Sequence, residues 1–152
     1  MTHLEIPLAT CSYTEFQPHM GAPVRTSLGF PKWFPHPVVL SWDNIMPSGY
    51  MLNLDSHEEY QQHYFRKLDQ IGLETLRGDI DALLEGHAYS FQGELPPRLV
   101  LLCYEKLSKR GNWCHRSMFA EWWEARTGQH VQELGAPPHA ADTPPETPPA
   151  LF

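Results

Sequence analysis

Residues Arg98 to Gly128 read RLVLLCYEKLSKRGNWCHRSMFAEWWEARTG. In Arg98 to Tyr104 everything after the arginine is an unbroken apolar run, with Pro96 and Pro97 before it, the pattern of a strand buried on both faces. Lys106 to Asn112 is charged, contains Gly111 and cannot continue a strand. Asn112 is a candidate N-cap and Gly128 a candidate C-terminal stop for the helix between them. In that helix Cys114, Met118 and Trp122 recur at four-residue spacing, with His115, Phe119 and Trp123 as the neighbouring row. Together they form one broad apolar stripe. A buried strand, a basic loop and an amphipathic helix in this order indicate an α/β domain. Cys114, His115 and Arg116 then fall in the first helical turn, at the strand-to-helix crevice where ligands bind in open α/β sheets. Glu105, at the strand end, faces them.

Working back toward the N-terminus, Gly86 closes a helix over Leu73 to Glu85, whose Leu73, Leu76, Ile80, Leu83 and Leu84 share a face. Before it, Ser56-His57-Glu58-Glu59 is a capping box. It opens a helix to Ile71 that places Tyr60, Tyr64, Leu68 and Ile71 on one face and is stopped by Gly72. Both helices read as structural. Phe30 to Trp42 is rich in aromatics and proline. It reads as a rigid loop plugging the core edge, or as an aromatic platform for a ring, followed by a strand over Val38 to Trp42. Val24 to Leu28 is a short strand. Arg25 on it reads either as a surface arginine over apolar neighbours or as a clamp for a phosphate or carboxylate. Leu4 to Cys11 is a first strand ending in Thr10, Cys11 and Ser12, residues suited to a ligand-binding turn and equally to an ordinary one. Gln129 to Leu134 is a last short strand.

The expected fold class is α/β: a single three-layer Rossmann-like domain, residues 1–135, with a mostly parallel, short-stranded sheet. From Ala136 to Phe152 the chain holds six of its 15 prolines and no Lys or Arg, and reads as a disordered proline-rich tail. Lys and Arg number 11 against 18 Asp and Glu, a net charge of −7. That balance disfavours charge-driven binding of nucleic acid, although Lys106, Lys109, Arg110 and Arg116 concentrate positive charge at the focal loop. The three cysteines, Cys11, Cys103 and Cys114, form no evident disulfide framework, and neither a signal pattern nor a membrane-length apolar run is present. The expectation is a soluble cytoplasmic protein with free thiols. The oligomeric state is not legible.

Three chemistries compete at the focal residues. In one, the helix start with Arg116, His115 and nearby lysines holds a phosphorylated or otherwise anionic small molecule. In another, Cys114 is a nucleophile, with His115 and Glu105 moving protons. In the third, Cys103, Cys114 and His115, with Glu105 as a further candidate, bind zinc. Adjacent Cys-His side chains in a first helical turn diverge, which makes this the weakest set, and the expected metal is none. A plainer alternative is that Cys103 and Cys114 are core residues and His115 and Arg116 are caps or surface groups.

The combination Leu102-Cys103-x-Glu105, then Cys114-His115-Arg116 with Phe119-Ala120, resembles the signature of the family called domain of unknown function 488. There a strand ends Leu-Cys-x-Glu and a helix opens with Cys-His-Arg. The likeness is close over about 30 residues, extends in layout to Leu134 and is loose in the N-terminal third, where Thr10 to Ser12 lacks the glycine expected at the first turn. The resemblance implies a Rossmann-like domain with a ligand site at Glu105, Cys114, His115 and Arg116. It implies no particular reaction and no cofactor. The leading functional expectation is an anion- or phosphate-binding site at the helix after the central strand that processes a nucleotide or nucleic-acid base. Cys114, His115 and Glu105 would be its catalytic groups, and Arg116, Arg25, Ser12 and Thr10 its ligand-binding groups. The alternative is a non-enzymatic binding or adaptor domain in which the Cys-His-Arg segment is structural.

Overall fold

A computed structural model of the chain describes residues 6–36, 40–90, 96–104 and 114–135. Glu105, the basic loop, Asn112 and the proline-rich tail lie outside them. Five strands form one sheet: β1 (Leu8–Ser12), β2 (Ala22–Arg25), β3 (Leu40–Ser41), β4 (Leu99–Cys103) and β5 (Gln132–Glu133), in the order β3-β2-β4-β1-β5. Every pairing is parallel. The fold is α/β, as the strand–loop–helix pattern anticipates.

β4 is the middle strand and all five of its residues are buried, which is why the apolar run shows no alternation. The strands are paired so that Ser12 stands opposite Cys103, Arg25 opposite Leu102, and Thr10 opposite Glu133. In a parallel sheet all the carboxyl ends lie at one edge. The register therefore gathers the ends of β1, β2, β4 and β5 there.

Three helices cover one face: α1 (His57–Ile71), α2 (Leu73–Ser90) and α3 (His115–Thr127). Their apolar rows meet Leu8, Ala22, Val24, Leu99 and Leu101 of the sheet. On α3 the buried set is His115, Arg116, Met118, Phe119, Trp122 and Trp123, so the two sequence rows do form the packed stripe. Trp42 meets Phe119 and Trp123 edge-on, with ring centroids 5.3 and 6.4 Å apart. The opposite face, carrying Cys11, Val100 and Leu102, is covered by loop aromatics Tyr13, Phe16 and Phe34 instead of a helix. Tyr13 and Phe34 pack edge-to-face at 5.5 Å. The third layer is thus made of loops, as the prolines around Phe30 to Phe34 require. Phe34 plugs the core, while Trp33 beside it is exposed. Connections running toward β3 lie on the aromatic face and those running toward β5 on the helical face, the arrangement that a single hand of crossover produces.

Ser56 caps α1 by accepting a hydrogen bond from the Glu59 N–H at 3.0 Å, and Gly72 ends the helix. Gly128 ends α3 in the left-handed conformation, φ 77°. Gly21 at the start of β2 has φ 140°, and a Cβ there would lie 2.5 Å from the Arg98 carbonyl oxygen, so only glycine lets β2 join β4.

Two boundaries differ from expectation. α3 is capped by Cys114, in extended conformation, and begins at His115. α2 does not stop at Gly86 but runs to Ser90; one glycine inside a helix costs only about 1 kcal/mol and does not by itself end it. A Cβ at Gly86 would meet only Leu40 Cδ2 at 3.6 Å, an ordinary contact. Gly86→Ala should therefore stabilise the protein by up to about 1 kcal/mol in urea unfolding. A loss would show that the residue terminates the helix after all. Leu101→Ala, by contrast, opens a cavity in the fully buried middle of β4. It should cost about 3 kcal/mol in the same measurement.

Candidate functional site

At the carboxyl edge, the end of β4 and the start of α3 meet the loop after β2. Cys103 is the last residue of β4, and its sulfur is joined to that of Cys114, 11 residues on, in a disulfide. The expectation of free thiols is corrected here for these two. Residues that look unpaired in sequence are brought together because the strand end and the helix cap are neighbours in space. Cys11 alone is free, buried beneath the aromatic layer. Burial, with the Glu133 and Glu15 carboxylates nearby, pushes its thiol up to about 12.

His115 is 5% exposed and lies beside both sulfurs. Its Nδ1 is 3.7 Å from Cys103 Sγ and 3.6 Å from Cys114 Sγ. Its Nε2 is 2.7 Å from the Thr26 carbonyl oxygen, with the Thr26 hydroxyl at 3.2 Å. A carbonyl can only accept, so Nε2 carries the proton and donates it there. Nδ1 therefore presents a bare lone pair to the sulfurs. Thr26 is itself held by β4, donating from its N–H and its hydroxyl to the Leu102 carbonyl at 3.2 and 2.7 Å. Burial drives the imidazole down to about 4, against the Thr26 carbonyl, which favours the charged ring; Arg116 and Lys67 push it the same way as burial. The ring is neutral at physiological pH.

The adjacent Cys114 and His115 side chains do not diverge. Cys114 precedes the helix in extended backbone, φ −155° and ψ 153°, and so turns its side chain toward the imidazole. Among the described residues, Cys103, Cys114 and His115 form the one group of potential metal donors found together, their ligand atoms all within 4.8 Å of one another.

A second cluster lies alongside. Arg116 is 1% exposed and bonds the Glu133 carboxylate through two nitrogens: Nε donates to Oε1 and Nη2 to Oε2, both at 3.1 Å. The Thr10 hydroxyl donates to the same Oε1 at 2.7 Å, and the Gly135 N–H to Oε2 at 3.1 Å. Arg116 Nη1 is buried and has no hydrogen-bond partner among the described residues. The arginine thus ties α3 to β5.

The other expected residues stand apart. Ser12 closes its own turn, donating to Glu15 Oε1 at 2.7 Å and accepting from the Glu15 N–H. Arg25 donates from Nε to the Ser27 carbonyl at 3.0 Å and from Nη2 to that of Leu28, with its guanidinium 5.9 Å over the Phe30 ring. It is a loop brace at the end of β2. Cys114, His115 and Arg116 are assembled at one edge, Thr10 serves the Arg116 pair, and Ser12 and Arg25 belong to neighbouring turns. Cys103 enters the site from what reads as plain core. Thr26 and Glu133 were not legible: the first acts chiefly through its carbonyl, and the second meets Thr10 only through sheet register.

Two outcomes follow. Native protein treated with iodoacetamide at pH 8 should show Cys11 unmodified, since a thiol of about 12 is ionised there in only about one molecule in 10,000; mass spectrometry reads this directly, and rapid labelling would contradict its burial. Glu133→Gln, which leaves a buried guanidinium without its countercharge, should cost about 3 kcal/mol in urea unfolding.

No family model, curated protein or solved structure matches the chain.

Proposed function

We propose that the chain is a small α/β protein built around a thiol–disulfide centre, Cys103 and Cys114, with His115 as its proton-handling neighbour. The observation that carries this reading is the imidazole lone pair directed at both sulfurs, 3.6 and 3.7 Å away, in a bonded cysteine pair at a strand end and helix start. A purely structural disulfide needs no base beside it. In the oxidised form neither sulfur has a hydrogen to give Nδ1. In the reduced form either thiol can donate one.

The exchange balances as follows. An incoming thiolate attacks Cys103 Sγ, forms a mixed disulfide and expels Cys114 as thiolate, which the N–H groups at the start of α3 stabilise. A second donor thiolate attacks the mixed disulfide and releases Cys103. Two electrons and two protons enter the protein, and the donor leaves as its own disulfide. Both cysteines are 3% exposed, so exchange requires the site to open.

A second reading keeps the anion site. The buried Nη1 of Arg116 in the first turn of α3, without a partner among the described residues, favours it. A phosphorylated or otherwise anionic small molecule, a nucleotide among them, would satisfy that donor, and the likeness to the domain of unknown function 488 signature points to the same residues. The Glu133 carboxylate already occupying two nitrogens of Arg116, and a neutral His115, weigh against it. No helix among the described residues is long and apolar enough to cross a membrane, so a membrane partner is not part of either reading.

The deciding experiment equilibrates native protein in graded dithiol redox buffers containing a chelator and counts trapped thiols by mass. A reversible two-electron transition of Cys103 and Cys114 at potentials within the glutathione and thioredoxin range is expected, with Cys11 silent. A pair still oxidised below about −300 mV would make the bond a structural staple and overturn the redox reading.

A further inference from the structure

The bare Nδ1 of His115 has a use beyond proton transfer. We propose that, in the dithiol state, Cys103 Sγ, Cys114 Sγ and His115 Nδ1 bind one thiophilic divalent ion of the zinc type. This rests on the disulfide being reducible, as proposed above.

Four observations carry it. First, two thiols and an imidazole are a donor set that suits zinc better than a hard cation. Secondly, the spacing fits. With Zn–S about 2.3 Å and Zn–N about 2.1 Å, a tetrahedral ion holds its nitrogen and sulfur ligands about 3.6 Å apart. Nδ1 stands 3.6 and 3.7 Å from the two sulfurs. The cysteine Cα atoms are 7.3 Å apart. That is wider than the usual spacing across a disulfide, about 4.4 to 6.8 Å, and leaves the sulfurs room to part to the roughly 3.8 Å that such an ion requires.

Thirdly, the outer support is already in place. Metal-bound histidines donate their other ring N–H to a carbonyl or carboxylate, which fixes the tautomer. His115 does this to Thr26, whose backbone and hydroxyl are in turn anchored to the Leu102 carbonyl on the central strand. Fourthly, charge closes. Two thiolates, a neutral imidazole and a divalent cation sum to zero, so the complex can be buried where these side chains are buried.

Binding is a balanced exchange: two thiols lose their protons, two metal–sulfur bonds and one metal–nitrogen bond form, and the ion gives up water. No fourth His, Cys, Asp or Glu donor joins the three among the described residues. Metal loading and disulfide formation use the same two sulfurs, so each excludes the other.

The test uses the full chain, reduced with a phosphine and freed of reductant under argon. Thiols are counted first, and cobalt(II) is then titrated in, followed by zinc. Expected are one cobalt per chain, a sulfur-to-cobalt charge-transfer band with tetrahedral ligand-field bands, and their loss when zinc displaces cobalt. Zinc-edge X-ray absorption should give two sulfur neighbours at about 2.3 Å and at least one nitrogen at about 2.0 Å. His115→Asn should weaken cobalt binding by about tenfold or more; should that variant fail to fold, the nitrogen seen by X-ray absorption in the native chain decides the same point. If Cys103 and Cys114 titrate as thiols yet no metal binds at a small excess, the metal proposal falls and the redox reading stands. If the two thiols never appear in the folded protein, both fall.

Discussion

The parallel register that locks β4 between β1 and β2 is the constraint on which everything else hangs. It places a fully apolar strand at the middle of the sheet, where both faces must be covered, and so demands the helical layer on one side and the aromatic loops on the other. It also sets Cys103 opposite Ser12 and one step beyond the Leu102–Arg25 pair. The next residue of the β2 chain, Thr26, is then held against Leu102, and its carbonyl is aimed at the imidazole of His115. One strand pairing therefore orients the ring that orients the sulfur chemistry.

Electrostatics separate the two clusters at this edge. The Arg116–Glu133 pair is charged, multiply hydrogen-bonded and buried on the arginine side, and it braces α3 against β5. The sulfur–imidazole group is neutral: a disulfide, a ring held well below its ordinary titration range, and a carbonyl. An uncharged group inside the protein suffers little from desolvation, whereas an isolated imidazolium would suffer much. The start of α3 thus presents soft, neutral donors at Cys103, Cys114 and His115 beside the charged Arg116–Glu133 pair.

Much of the fold was legible. The apolar run after Arg98, the Ser56 cap, Gly72, Gly128 and the double row on α3 are local signals, and each acts locally. The errors lie where tertiary contact overrides a local cue. Gly86 reads as a stop, yet α2 runs on past it to Ser90. Cys114 reads as a helical residue but is an extended cap, and this one difference in backbone reverses the inference that Cys114 and His115 point apart. Cys103 reads as core and is core by exposure; only its neighbour across the loop makes it chemistry. Glu133 could not be assigned to Arg116 and Thr10 because its partners are distant in sequence and meet through sheet register alone.

The imidazole of His115 is a neutral ring with its proton on Nε2 and its lone pair turned toward two sulfurs. Nitrogen-15 NMR of the histidine ring in the oxidised protein measures this directly. Expected are the Nε2–H tautomer, an unprotonated Nδ1 and no titration between pH 5.5 and 8, about 4 being its titration point. An Nδ1–H tautomer, or a ring titrating near the ordinary value of about 6.5, would contradict it.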